Sequence, residues 1–171
     1  MPRKPTSPAR QRSVNPPAPA HPANPTWLGE ADLHWFQEGR HLRLYEKLGA
    51  HPDPSGAGTH FAVWAPNAEQ ASVIGDFNHW TPAQAPLAPC ANSGIWEATV
   101  AGVAPGAIYK YALRPRGSAH WIQKADPFAF AAEVPPRTAS VVADLAYTWN
   151  DQEWMRHRGA ANNGRAPIAI Y

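Results

Sequence analysis

The residues best suited to contact a ligand lie in the stretch Gly75-Asp-Phe-Asn-His-Trp80, which follows a β-prone run and precedes a proline. Its centre is too polar for a core strand, so we predict a loop that presents the Trp80 indole to a flat ligand. Packing of Trp80 as a lid over the core is the alternative. Asn78 is a second candidate contact, although its residue type favours a side chain that bonds its own turn.

Strand alternation adds Lys110 to the candidates. In residues 107–114, Tyr109 and Tyr111 share one face, whereas Lys110 and Arg114 share the other. The charged face must be the outer one, so the Lys110 ammonium points out of the sheet, either as a donor to a ligand or as a solvated residue. Trp121 follows a turn-like stretch and is either a second stacking plane or a cover for the sheet edge.

The elements that must position these residues are short strands separated by Pro and Gly. Strands are predicted at 59–65, 70–75, 95–100, 107–114, 120–124 and 139–143. Strands of this length without βαβ alternation predict an all-β fold, an antiparallel immunoglobulin-like β-sandwich. Short flanking helices are predicted at 31–38, ending at Gly39, and at 150–158, where Asn150 and Glu153 have the spacing of a capping box.

Eight tryptophans are unusual for a chain of 171 residues and indicate an aromatic core, a stacking surface, or both. Trp64 and Trp96 are predicted to face the core, the latter because it alternates with Glu97. Trp149 and Trp154 flank the late helix, and we expect them to pack against a neighbouring domain.

Composition narrows the class of protein further. The single Cys90 excludes an intrachain disulfide and fits a reducing compartment, so we predict a cytoplasmic protein. No apolar run approaches the roughly 18 residues that cross a bilayer, and no signal-peptide core is present, so no membrane partner is expected. Residues 1–25 are rich in Pro and Ala and carry four cations. We predict a disordered tail there, solvated rather than bound to nucleic acid.

An ordered series of segments resembles the N-terminal glycogen- and starch-binding module of bacterial 1,4-α-glucan branching enzymes, which belong to the α-amylase superfamily. The segments are 42–52, 61–68 (FAVWAPNA), 75–80 (GDFNHW), 109–111 (YKY), 124–132, 136–141 and 166–171. The last one resembles the start of the catalytic (β/α) barrel. The resemblance therefore implies a chain that is truncated before that barrel.

The resemblance implies an α-1,4-glucan ligand, such as glycogen or maltooligosaccharides, and the barrel as a second partner. Trp80 would stack on a glucose ring, Lys110 would donate to hydroxyls, and Trp121 and Asn78 would add contacts. The loop 81–86 departs from the family, because a polar basic loop commonly stands there.

The resemblance also suggests a division of the chain. We predict a tail at 1–25, a helix and leading segment at 26–50, the glucan-binding sandwich at 51–145, and a helix, linker and barrel start at 146–171. The whole enzyme would transfer α-1,4-glucan segments to α-1,6 branch points. A non-sugar-binding packing domain, or a module of a debranching or trehalose-releasing enzyme, is the alternative.

No catalytic residue is predicted within this chain. Retaining glycoside chemistry needs two carboxylates about 5 Å apart, and Asp76, Glu97, Asp126 and Glu133 are scattered on turns and a strand. The histidines lack metal-ligand spacing, and no cofactor motif is present, so no metal and no cofactor are expected. The chain alone should be inactive.

Overall fold

The computed structural model describes residues 27–161 and 164. The predictions for the N-terminal tail and for the barrel start at 166–171 fall outside these residues. None of the helices within the described part is long and apolar enough to cross a membrane.

Two antiparallel sheets form a sandwich, which confirms the predicted fold. The strands are β1 (Gly49–Pro52), β2 (Gly58–Trp64), β3 (Ala68–Gly75), β4 (Ala88–Cys90), β5 (Ile95–Ala101), β6 (Ile108–Pro115), β7 (Ile122–Lys124), β8 (Ala131–Ala132) and β9 (Ser140–Val141). The first sheet has the order β1-β2-β5-β4, and the second has the order β3-β6-β9-β8, with β7 also paired to β6. The short strands β1, β4 and β8 were not predicted.

Two helices flank the sandwich, α1 (Glu30–Gln37) and α2 (Gln152–Ala161). Helix α1 ends as predicted, because Gly39 adopts the left-handed conformation (φ 68°) that favours glycine after a helix. Helix α2 begins later than predicted. The amide of Met155 donates to the carbonyl of Asp151 at 2.8 Å, which places Asp151 rather than Asn150 before its first turn.

The main core lies between the two sheets and is built from alternate residues of the central strands. Phe61, Val73, Tyr109 and Tyr111 are fully buried there. Tyr109 and Tyr111 face the core, as the alternation predicts, so Lys110 between them faces outward.

A second apolar cluster covers the outer face of the first sheet, where Leu28, Leu48, Ala62 and Ile95 are buried and Phe36 of α1 packs against them. This sheet is therefore covered on both faces. Alternation places Glu97 on the face opposite Trp96 and so predicts that it is exposed; this is wrong, because the side chain of Glu97 is buried. Trp64 was also wrongly placed in the core.

Trp64 is the last residue of β2 and lies beyond the covered part of the sheet, so it remains 54% exposed. Its ring is packed edge-to-face with the ring of Phe36, at a centroid distance of 6.0 Å. Trp96 is packed against the main core as predicted, and its indole N–H donates to the carbonyl of Ala65 at 3.1 Å.

Candidate functional site

The loop that carries Trp80 folds over the outer face of the second sheet. Ser72 and Ile74 point to that face from β3, yet both are fully buried. The Ser72 hydroxyl donates to the carbonyl of Ala85 at 2.7 Å and also contacts that of Pro82. The loop is therefore bonded to the sheet and forms part of its outer surface.

Two side chains anchor the first turn of this loop, a 3-10 helix at Asp76–Asn78. Phe77 packs against the core and stacks on Phe61 with ring centroids 6.4 Å apart. Asn78 is buried; its amide oxygen accepts from the Gly75 N–H at 3.0 Å, and its amide nitrogen donates to the Val73 carbonyl at 2.9 Å. Both ends of the Asn78 amide are used by the turn, the role that its residue type favours.

Trp80 itself is partly exposed and held in an unusual conformation. Both His79 (φ 51°) and Trp80 (φ 58°) are left-handed, which is rare for bulky residues and persists only where the surroundings impose it. The Trp80 amide donates to the Gly75 carbonyl at 3.0 Å, and its indole N–H donates to Asp76 Oδ1 at 2.8 Å. The ring is thus fixed by its own loop.

Lys110 lies on the same outer face, at the end of β6 nearest to the Trp80 loop. It pairs with Ile74 of β3, and the next pair joins Tyr109 to Gly75, the residue that accepts the Trp80 amide bond. The Lys110 ammonium donates to the Thr138 hydroxyl at 2.8 Å. An ammonium has three donors, so this bond leaves two for a ligand.

Trp121 is placed toward the other end of β6. The guanidinium of Arg114 lies 6.0 Å from its ring centroid, within the range of a cation–π contact. Arg114 is four residues from Lys110, which at the rise of a β-strand is about 13 Å. Trp121 therefore lies on the same face of the sheet as Trp80 and Lys110, but at the other end of β6.

A cleft of about 340 Å³ opens between Trp121 and the later part of the Trp80 loop. Pro82 and Ala83 form one side, and Glu69 and Gln70 of β3 add polar groups. The cleft combines a half-buried indole with hydrogen-bonding side chains, a combination suited to a ligand with apolar faces and polar edges.

A buried hydrogen-bond network on the inner face holds the strand beneath Lys110. The Tyr109 hydroxyl donates to Asp126 Oδ2 at 2.5 Å, and the Tyr111 hydroxyl donates to the Ala62 carbonyl at 3.1 Å, with Asp126 Oδ2 3.4 Å away. The Phe128 N–H donates to the other carboxylate oxygen at 2.8 Å. Burial raises the pKa of Asp126 above its ordinary value, although these hydrogen bonds oppose the rise.

The sequence analysis considered Asp126 only as an acidic residue on a turn and did not predict this network. The sequence nevertheless contains an indication of it. Two tyrosines on a core face need acceptors for their hydroxyl groups, and Asp126 follows the next strand. Because the network joins Tyr111 to the first sheet and Tyr109 to the Asp126 turn, it restrains β6 on both sides of Lys110.

The four acidic residues considered for catalysis serve separate structural contacts. Asp76 accepts from the Trp80 indole, and Asp126 accepts from tyrosines. Glu97 lies 3.4 Å from His60 on the first sheet, and Glu133 accepts from the Ala139 amide at 3.2 Å. Within the described residues, each of these four carboxylates contacts a different partner.

The sequence was also compared with those of known proteins. Residues 47–129 match the profile of carbohydrate-binding module 48, the isoamylase N-terminal domain. The chain is 51% identical over 147 residues to the 1,4-alpha-glucan branching enzyme GlgB of Synechococcus sp. strain JA-3-3Ab, covering 84% of this chain and 19% of that enzyme. It is 49% identical over 151 residues to GlgB of Rhodococcus jostii strain RHA1, covering 84% of this chain and 20% of that enzyme.

Among solved structures, a Klebsiella pneumoniae pullulanase complexed with maltotriose is 25% identical, with a TM-score of 0.47 over 57% of this chain and 10% of that protein. Of the branching enzymes that it matches, the chain spans about a fifth of the length.

Proposed function

This chain belongs, through residues 47–129, to the carbohydrate-binding module 48 family, and from that premise we propose that it binds α-1,4-glucan on the outer face of its second sheet. The observation that carries the proposal is the partly exposed Trp80 ring, held in a left-handed loop beside Lys110. A pyranose has an apolar C–H face that an indole covers and a rim of hydroxyls that an ammonium contacts. Trp121 supplies a second aromatic contact farther along the same face, whereas Asn78 contributes by holding the loop.

The expected affinity is modest. One indole stacked on a sugar ring removes about 100 Å² of apolar surface from water, which is worth roughly 2.5 kcal/mol. Contacts at both Trp80 and Trp121 give about 5 kcal/mol before the costs of association. Short oligosaccharides should therefore bind with a dissociation constant on the order of a millimolar, and long glucans more tightly, because they reach several contacts at once.

We infer that the chain is a module of a glycogen branching enzyme, and that the whole enzyme transfers α-1,4-glucan segments to α-1,6 branch points. The support is the identity of about half the residues with enzymes of that name over 84% of this chain. This similarity favours a branching enzyme over the debranching and trehalose-releasing alternatives. The unpaired, buried Cys90 suits the cytoplasm as the site of action.

The direct test is substitution of Trp80. Trp80→Ala should weaken binding of maltoheptaose to this site by about 60-fold, the equivalent of 2.5 kcal/mol, and should weaken retention of the chain in a native gel that contains glycogen. Trp149→Ala, the same change at a tryptophan that is 68% exposed and lies outside the proposed face, is the control and should bind as the parent does. Circular dichroism checks that both variants are folded. A Trp80→Ala chain with the parent's affinity would refute this site.

A second candidate function is that of a packing domain for the catalytic barrel. It is favoured by a run of exposed apolar side chains beyond the sandwich. These are Leu145, Tyr147, Trp149, Trp154 and Met155, whose exposed fractions run from 48% to 69%. Exposed apolar groups in such number are typical of a contact surface. If the parent chain itself is not retained by glycogen, this second function is the better interpretation.

A further inference from the structure

A second aromatic cleft lies on the opposite side of the sandwich, where helix α1 ends. Gly39 reverses the chain there in its left-handed conformation, and the Arg40 amide donates to the Trp35 carbonyl at 2.8 Å. The turn and the helix enclose an open cleft of about 590 Å³. Its apolar lining comes from Trp35, which is 49% exposed, and from Leu42.

The Trp35 ring packs against a buried and hydrogen-bonded side chain. His41 contacts it edge-on, with ring centroids 5.9 Å apart and planes at 76°. The His41 side chain is only 5% exposed, and its Nε2 lies 2.9 Å from Asp32 Oδ1. The other oxygen of Asp32 pairs with Lys47 at 3.0 Å. The indole therefore packs on a buried imidazole that is itself held by Asp32, while about half of the Trp35 side chain faces solvent.

Polar groups surround the exposed side of the ring. The Glu38 carboxylate lies 3.4 Å from the His34 imidazole and 3.7 Å from the Arg40 guanidinium, and Arg43 completes the rim. These groups are solvent-exposed and supply both donors and acceptors. A ring with hydrogen-bonding groups at its edge matches a pyranose, whereas a protein partner would be expected to contact a mainly apolar centre.

We propose that this cleft is a second binding site for α-glucan, with Trp35 stacked on a glucose ring and the Glu38 and Arg43 side chains contacting its hydroxyls. The inference rests on the proposed function, because it takes the same class of ligand. Helix α1 covers the outer face of the first sheet, whereas Trp80 and Trp121 lie on the outer face of the second. Two sheets about 10 Å apart and a helix layer of similar thickness separate the sites by about 20 Å.

Because the two sites lie on opposite faces, ligands of different length should bind them differently. A short oligosaccharide bound flat on one face cannot reach the other. A glycogen particle offers many chain ends and can occupy both sites, so the chain should gain avidity for glycogen that it does not show for maltoheptaose. The two sites are thus separable by ligand length as well as by substitution.

The experiment compares Trp35→Ala, Trp80→Ala and the double variant, with Trp154→Ala as the control. Maltoheptaose binding is followed by titration, and glycogen binding by retention in a native gel. Trp35→Ala should reduce the number of maltoheptaose sites from two to one and weaken glycogen retention at least tenfold. The double variant should lose both kinds of binding, and the control should lose neither.

The outcomes separate the two proposals. If Trp35→Ala retains the parent's site number and retention while Trp80→Ala loses binding, the second site is wrong and the proposed function stands. If only Trp35→Ala loses binding, the Trp80 site is wrong and the cleft is correct. A measurement on the unaltered chain guards against misfolded variants: the indole N–H resonance of Trp35 should shift as maltoheptaose is added. No shift at saturation would overturn the second site.

Discussion

Replacing Tyr109 by phenylalanine tests whether the buried network holds the strand beneath Lys110. Tyr109 is fully buried, and its hydroxyl donates to Asp126 Oδ2 at 2.5 Å. Tyr109→Phe keeps the ring in the core and removes one donor from a buried carboxylate. Hydrogen bonds to charged groups are worth about 1.5–3 kcal/mol, so the free energy of unfolding should fall by about 2 kcal/mol. For a chain of 171 residues, that lowers the melting temperature by about 6 °C.

The loss should depend on pH. Burial raises the pKa of Asp126 above its reference of 3.8, while the hydrogen bond from Tyr109 lowers it. Between the unfolded and folded pKa values the folded chain binds more protons than the unfolded one, so stability falls as pH rises through that window. Without the Tyr109 hydroxyl the folded pKa rises further. Tyr109→Phe should therefore cost least where Asp126 is protonated and most above the raised pKa.

Urea unfolding followed by tryptophan fluorescence, at about pH 4 and about pH 8, measures both effects. Tyr147→Phe removes a hydroxyl from a residue that is 69% exposed, and it should change the free energy of unfolding by less than about 0.5 kcal/mol. A Tyr109→Phe cost as small as that of the control would contradict the role assigned to the network. An equal cost at both pH values would contradict the ionisation of Asp126.

Two further substitution and labelling experiments test the packing of each sheet. A Cβ on Gly75 would lie 2.3 Å from the Ile108 carbonyl oxygen, so Gly75→Ala should cost about 3 kcal/mol in thermal unfolding and disturb the Trp80 loop. Gly159→Ala, at a helical site with open space, should be neutral or stabilising, and a similar result for Gly75 would refute the close contact. Burial, with Glu97 nearby, raises the pKa of Cys90 to about 11, so a thiol reagent at about pH 8 should label Cys90 only on unfolding. Rapid labelling of the folded chain would show that the second apolar cluster is open.

Alternation predicted the second sheet well, because two of the four outward residues of β6 are charged. Tyr109 and Tyr111 could be assigned to the core once Lys110 and Arg114 marked the other face. Strand alternation failed at Glu97, because it assumes that one face of each sheet is exposed to solvent, whereas the first sheet is covered on both faces. Whether a sheet is covered on its second side depends on a segment distant in sequence, here the helix and turns before β1, and a local pattern does not contain that contact.

In the candidate site too, the features that depend on neighbouring residues could be predicted, and those that depend on contacts distant in sequence could not. The loop and turn at Asn78 follow from residue type, and the structure contains the turn that was favoured for it. The separation between Trp80 and Trp121 depends on the register of β3, β6 and β7, which is set by pairing across the sheet. The cleft at Trp35 depends on how helix α1 packs, and its tryptophan could not be assigned from sequence.

The hydrogen bond from the Trp80 indole to Asp76 limits what this residue can recognise. Indole has a single N–H donor, and Asp76 Oδ1 accepts it at 2.8 Å. Only the face of the ring is then left for a ligand, so Trp80 makes an apolar contact with the sugar and no hydrogen bond to its hydroxyls. Lys110 keeps two free donors after its bond to Thr138. We therefore expect Trp80 to set the strength of glucan binding, and Lys110 to set the preference for one sugar over another with the same apolar face.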